Sequence, residues 1–561
     1  MKKILIWVIV FLLLLVVAWA TFMYTMKNSM MDWMEMWDMK MWDMMMDDDK
    51  MWDMKDWEMW DMKWMMWGWE KFDTSVEWLP EAKPSEVVKL KDGDSYEMTA
   101  YAVKQEVGNR VVKRLSYNGM IPGPLLQVEK WAKIKLKFTN KLWIETTLHS
   151  HGLRLDDFKF DGLPTTMWGQ QKPMKDWESF TYELDFPDTG VFWYHPHIRE
   201  DYTQEMWLYG NFNVTENGYW NSVDREEFMI LDDFSLDDPF YKDKVTKTLM
   251  GRFGNIMMIN NEENYRLEVN QYDTVRLNLT NVANTRTFDF AITKDWINQE
   301  FKLVGWDIWR IEKEVMVSSQ IIAPAERYIV ETRFDQPWEY VIKSRDRELG
   351  KIIVKDTWVR KKQKAFWSDL KQSPEEYSFV RKNFQKFLDQ KVDKKLRLTI
   401  WMKGMKGGRS NTKWMGMWNM EMNNEEDTDE IEWEDNMAMM NKISSDKMME
   451  WKMIDEDTWD ENMDIDWKFK KWQFVKVEIY NDQNSMHPMQ HPIHFHWQRF
   501  LVLTRDGKVE KNLQWKDVSL VKNGERVEIL IEMTNIWTWM SHCHIAEHLQ
   551  SGMMMIFKVE E

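Results

Sequence analysis

The chain of 561 residues holds one cysteine and eleven histidines. Every histidine falls in one of four short clusters: His149 and His151; His195 and His197; His487, His491, His494 and His496; and His542, His544 and His548, with Cys543 between the first two of these. Scattered core or surface histidines would not group in this way. Residues two apart on a strand point to one face, so the pairs 149/151, 195/197, 494/496 and 542/544 offer eight imidazoles from four segments. Imidazole is the commonest metal ligand. Eight suffice for three metal ions with positions left open for an oxygen ligand. Three residues remain for a separate centre: His491, Cys543 and His548. Two histidines, a thiolate and a distant methionine form the ligand set of a copper electron-transfer site, and Met553, ten residues after Cys543, is placed to be that methionine. A lone cysteine is more often a small buried hydrophobe, and one histidine pair alone would fit a structural zinc site or a surface motif. Four such motifs together leave those readings little room.

Methionine gives a second chemical signal. Residues 30–66 carry 15 Met interleaved with Asp, and residues 402–463 carry 13, including Met415-Gly416-Met417 and Met437-Ala438-Met439-Met440. Neither stretch keeps a helical or strand period, so both read as flexible, low-complexity segments. Thioethers are soft ligands that select Cu(I), and the nearby carboxylates attract cations. Metal binding is therefore preferred to an inert acidic tail and loop.

The elements that must position these residues are short strands. Alternating patterns occur at Ser95–Val103, Lys133–Phe138, Tyr265–Val269, Thr274–Leu279, Tyr340–Ile342, Lys395–Ile400, Phe474–Ile479 and Arg526–Glu532. Short strands separated by turn signals predict β-sandwiches. A motif of the type Val-x-x-Lys-Phe-Thr-Asn recurs at Ile134–Asn140, Val275–Asn281 and Val527–Asn535, which predicts three copies of one sandwich unit. Helical signal is sparse. The best stretch, Pro374–Leu388, lies in a Lys-rich linker, 358–394.

The expected organisation is an export segment at 1–25, a Met/Asp-rich tail at 26–79, and sandwich domains at 80–218, 219–357 and 395–561, with the Met-rich insert 402–466 in the last. The export segment is Met1-Lys2-Lys3 followed by an apolar run from Ile4 to about Tyr24. It reads as a signal peptide, with Ala18-Trp19-Ala20 as a cleavage site, or as a membrane anchor. Both place the rest of the chain in the cell envelope or a periplasm-like space, with the membrane touched only by this segment. The net charge of −18 argues against nucleic acid, whose phosphates it would repel.

Tryptophan is anomalous. The chain has 37 Trp and only 22 Gly, about 4% glycine against a usual ~7%. Many Trp occupy turn contexts such as Lys175-Asp176-Trp177-Glu178 and Gln336-Pro337-Trp338-Glu339, where glycine has a steric reason to be and Trp has none. The counts fit a gene from a lineage that reads UGA as glycine, translated with UGA as tryptophan. A Trp-rich binding surface would not account for the glycine deficit.

Several segments carry a family resemblance: Asn118-Gly119-Met120-Ile121-Pro122-Gly123-Pro124; His149-Ser150-His151-Gly152; Asp161-Gly162-Leu163-Pro164; Phe192-Trp193-Tyr194-His195-Pro196-His197; Gly251-Arg252-Phe253-Gly254-Asn255; His491-Pro492-Ile493-His494-Phe495-His496; and His542-Cys543-His544-Ile545-Ala546-Glu547-His548 through Met553. From about residue 85 onward, outside the Met-rich insert, the sequence resembles three-domain multicopper oxidases of the laccase and cuprous oxidase superfamily. The resemblance implies an all-β fold of three cupredoxin-like Greek-key sandwiches. It implies four copper ions. His149 and His494 would hold the type 2 ion. One type 3 ion would take His151, His195 and His544, and the other His197, His496 and His542. His491, Cys543 and His548 would hold the type 1 ion, with Met553 axial. It further implies one-electron oxidation of a substrate coupled to reduction of dioxygen to water, with Asp161 and Glu547 relaying protons or merely orienting ligands. His487 has no role in this pattern and reads as a loop residue. Trp497, Trp131, Trp177, Trp306 and Trp338 stand where the family has glycine, and the His151–Asp161 spacing is one residue longer than usual. The Met-rich insert favours Cu(I) as substrate, as in copper-tolerance oxidases. A laccase acting on phenols or aromatic amines and a copper-sequestering protein are the alternatives.

Overall fold

The structure is a computed structural model that describes residues 70–236, 238–357, 366–403 and 431–561. The apolar segment 4–24, the first methionine cluster and residues 404–430 of the second lie outside the described residues. The fold is all-β. Strand Lys133–Lys141 alternates outward and buried side chains along its length, because Ile134, Leu136 and Phe138 face the core while the lysines face water. Strands Gly190–His195 and His491–Phe495 are buried at every position. They are covered on both faces, and they carry histidines. Strands within 87–215 form sheets of five and four strands, those within 225–355 two sheets of six, and those within 394–560 sheets of seven and five.

One wiring recurs three times. Ser95–Val107 runs parallel to Lys133–Lys141, Arg225–Phe234 parallel to Thr274–Asn281, and Lys394–Met402 parallel to Phe474–Asn481. Each second strand then pairs antiparallel with a third: Ser179–Asp185, Arg327–Arg333 and Arg526–Glu532. The third copy of the repeat is therefore Phe474–Asn481, not Val527–Asn535. The shared position has a chemical signature, because each second strand carries a buried asparagine at or next to its end that pins the following loop. Asn140 donates to the Ile144 and Met174 carbonyls, Asn281 to those of Arg286 and Ile322, and Asn481 to those of Met489, Val521 and Lys522. A buried carbonyl without a donor costs about 1–3 kcal/mol. Asparagine supplies that donor where the ladder ends.

Two boundaries differ from the sequence reading, and the linker is more closely packed than a linker need be. The second half of the Met-rich insert is not a flexible segment. Met449–Asp455 is a strand paired with Lys394–Met402, Met449 and Met453 are buried, and Ala438–Ile443 is a short helix. Met449 and Met453 serve as core residues, which a composition argument does not see, while Met439 and Met448 are exposed. Packing also begins before Pro80, since Phe72 stacks on Tyr202 with ring centroids 3.8 Å apart. The linker contains the helix Pro374–Asp389, and it is packed: Tyr377 is buried and donates to the Arg310 carbonyl.

Among the described residues, 23 non-glycine residues have positive φ, and twelve of them are tryptophan: 78, 131, 143, 168, 177, 207, 296, 309, 459, 472, 497 and 537. Nine of the twelve are exposed at the surface.

Candidate metal centres

Sheet register assembles the histidines. His149 lies opposite His195 across strands His149–His151 and Gly190–His195. His494 lies opposite His542 across strands His491–Phe495 and Trp537–Cys543. Directly opposed residues share a face, so each sheet presents its imidazoles on one side. The two sets meet ring against ring. His149 stacks on His496 at 4.3 Å and His151 on His494 at 3.9 Å, while His197 and His542 lie 5.2 Å apart and His195 and His544 5.3 Å. Every such contact joins a histidine from residues 149–197 to one from residues 494–544. The donor atoms of His197, His496 and His542 lie within 4.8 Å of one another, as do those of His149, His494 and His496, and those of His149, His151 and His195. His544 adjoins His151 and His195 at ring distances of 5.0 and 5.3 Å.

All eight rings are buried. Burial, reinforced by the neighbouring imidazoles, holds the pKa values of His151, His195, His494, His496 and His542 well below the usual range, and that of His544 down to about 3. These rings are neutral and keep a lone pair. Ring nitrogens of His149, His151, His195, His494 and His544 have no hydrogen-bond partner among the described residues. Buried orphan acceptors are costly, and a metal ion that takes their lone pairs removes that cost. The donor set, neutral imidazole with one thiol, fits copper.

Carboxylates and carbonyls fix the ring orientations. Asp161 lies 3.0 Å from His149 Nδ1 and 2.9 Å from His496 Nδ1, and its carbonyl lies 2.7 Å from His149 Nδ1. Gly162 makes this approach feasible: a Cβ there would lie 2.1 Å from the Leu148 carbonyl oxygen, and its φ is +81°. Asp517 lies 3.2 Å from His151 Nε2, its carbonyl 2.8 Å from His494 Nδ1, and Arg327 grips its carboxylate with two bonds of 2.6 Å. Glu200 lies 2.9 Å from His197 Nδ1. Burial opposes charge on His197, but Glu200 raises its pKa overall. Sequence reasoning missed Asp517 and Glu200. Glu200 had a signal, three residues after His197, whereas Asp517 is brought in only by the fold. Glu547 is buried and accepts from Asn284 and Thr285, both at 3.3 Å. Burial raises its pKa to about 7, against the pull of Arg252.

Cys543, His491 and His548 form the other group. Cys543 Sγ lies 3.5 Å from His491 Nδ1 and 3.9 Å from His548 Nδ1, and Ile545 N–H donates to the sulfur at 3.4 Å. Burial pushes the Cys543 thiol up, so only a bound cation would make it a thiolate. Met553 is buried, and its carbonyl accepts from Cys543 N–H at 3.1 Å. His487 is a loop residue, as expected, but a buried one. It couples electrostatically to both His491 and His548, and burial lowers its own pKa to about 4. Trp451, inside the stretch read as flexible, stacks on His548 at 4.0 Å and meets His491 edge-on at 4.8 Å.

Two segments match multicopper oxidase family models, residues 99–218 and 432–561. The multicopper oxidase mco of Staphylococcus haemolyticus is 27% identical over 493 residues, covering 85% of this chain and 91% of that one. Copper resistance protein A of Pseudomonas syringae is 23% identical over 166 residues, 29% of this chain and 26% of that one. Among solved structures, a bacterial laccase-like multicopper oxidase CueO from Ochrobactrum sp. aligns with a TM-score of 0.64 at 19% identity, covering 85% of this chain and all of that one. That likeness identifies the sandwiches as cupredoxin-like. With the histidine motifs falling inside the matched segments, the chain belongs to the multicopper oxidases and is an oxidoreductase.

Proposed function

We propose that the protein oxidises Cu(I) to Cu(II) and passes the electrons to dioxygen. In this reading His491, Cys543 and His548, with Met553, hold the type 1 copper. His149 and His494 hold the type 2 ion, and the two type 3 ions are held by His151, His195 and His544 and by His197, His496 and His542. Copper, when bound, supplies one-electron acceptance at the thiolate centre and four-electron reduction of dioxygen to water at the cluster. The chain supplies the rest. Cys543 sits between His542 and His544, so its backbone is a short covalent path from the sulfur to two cluster ligands. Asp161 orients two rings and can hold a proton beside the cluster, and Glu547 is the second proton-holding group. Residues 4–24 export the enzyme, so that it works in the cell envelope.

One observation carries the choice of Cu(I). The Met-rich helix Ala438–Ile443 and its flanks dock on the loop beside the type 1 ligands. Asn441 accepts from Met250 N–H at 3.0 Å and donates to the Gly251 carbonyl at 2.8 Å, and Ser444 accepts from Leu249 N–H at 3.0 Å. The Leu249 backbone lies against His548. The helix that carries Met439 and Met440 is thus tied to the loop that lies against His548, and thioethers are soft donors suited to Cu(I). The family also includes enzymes acting on lignin model compounds, which supports phenols as the rival substrate. Oxygen uptake by the copper-loaded protein, with Cu(I) and with a phenol, before and after replacement of Met437, Met439 and Met440 by leucine, separates the readings. Loss of Cu(I) oxidation alone supports ours. Phenol oxidation with no Cu(I) oxidation in the intact chain supports a laccase, and no uptake with either substrate supports sequestration.

A further inference from the structure

We infer that Trp451 is a positioning residue of the thiolate centre, clamping both of its imidazoles and keeping water from them. The inference rests on the ligand reading above. The indole lies face-on to His548 at 4.0 Å with 30° between planes, and edge-on to His491 at 4.8 Å. It is fully buried and held at every side. Its Nε1–H donates to the Thr248 carbonyl at 2.6 Å, its backbone N–H to the Ser551 carbonyl at 3.2 Å, and its carbonyl accepts from Asn462 at 3.0 Å. Across the sheet it pairs with Ile400. An indole so fixed leaves the His548 ring one orientation. The groups around a ligand set a copper centre's potential and affinity through orientation and solvent access.

The test compares Trp451→Phe, which keeps a ring, with Trp451→Leu, which fills space without one, in the full-length copper-loaded protein. The readouts are the thiolate-to-copper visible band, the reduction potential and copper retention against a chelator. The Leu variant should shift the band, lower the potential, and lose copper from this centre about tenfold more readily. The Phe variant should recover most of each. A Leu variant with unaltered band and potential overturns the inference while the ligand reading stands. A wild-type protein with no such band overturns the ligand reading and this inference with it.

A separate observation carries a second inference: the geometry assigns glycine to the twelve left-handed tryptophans. One turn, closed by a bond from the fourth residue's N–H to the first residue's carbonyl, recurs with positive φ at its third position. Glycine occupies that position at Gly93, Gly119 and Gly524, and Trp at Trp131, Trp177 and Trp472, with φ from 67° to 84° throughout. This position favours glycine sterically. Of the eleven other non-glycine residues with positive φ, six are Asn or Asp, which tolerate the conformation, and no residue type but Trp recurs there as often; Tyr occupies the same turn position once, at Tyr272. Trp451, Trp467 and Trp539, by contrast, are not among the residues with positive φ and donate their indole N–H to Thr248, Asp455 and Asn535. The chain thus contains two kinds of tryptophan. UGA differs by one base from both a tryptophan and a glycine codon, and reading it as glycine would produce the left-handed kind. Peptide mass spectrometry of the protein from its native cell should find glycine at 131, 472 and 497 and tryptophan at 451, 467 and 539. Tryptophan at the first three overturns the inference.

Discussion

Asp161 illustrates how much one side chain can do for the cluster. It faces His149 and His496 at once, so Asp161→Ala frees the His496 ring and leaves His149 only the backbone carbonyl of residue 161. We expect its copper affinity at the cluster to fall about 10–100-fold, measured by copper content after dialysis, with the thiolate band retained. Glu200 is bonded to one ring only. Glu200→Gln should cost less, and the loss should be confined to the ions nearest His197. The clustered histidines were legible in the sequence from their i, i+2 spacing, although of these pairs only His149 and His151 share a strand, and His197, His496 and His544 lie just past strand ends. Asp517 was not, because nothing near it in sequence marks a residue whose partners, His151 and Arg327, lie 366 and 190 positions away.

At the level of elements, the three strand-ending asparagines fasten the loops that lead into the neighbouring strands. Asn481 is bonded to Met489, two residues before His491. Asn481→Ala leaves carbonyls unpartnered and should destabilise the protein by about 1–3 kcal/mol, read by thermal melting. It should also weaken the thiolate band. The alternating strands were readable because one face meets water. The strand Met449–Asp455 was not, because its methionines resemble those of the surrounding low-complexity sequence while only burial distinguishes them. The consequence can be checked. Deleting 404–430 should leave a folded protein with its thiolate band, whereas deleting 402–463 removes a paired strand together with Trp451 and should give insoluble protein.

For the whole molecule, backbone strain limits what sequence can be tolerated. A left-handed non-glycine residue costs about 1–2 kcal/mol, and twelve tryptophans in that state weigh against a typical net stability of about 5–15 kcal/mol. Replacing the twelve together with glycine should raise soluble yield and melting temperature in a standard host. Metal acts at the same scale. An ion that binds only the folded state at a hundredfold excess over its Kd adds about 3 kcal/mol, so chelation should lower the melting temperature. The cluster is the reason this effect reaches beyond one sandwich, because four of its close ring contacts join histidines of residues 149–197 to histidines of residues 494–544. Until the third sandwich has formed, half of the eight imidazoles are missing. A nascent or truncated chain can therefore gather stray metal at no more than half a site. In the proposed function oxygen chemistry waits for the third sandwich, and the metal acts as a clasp between the first and third sandwiches.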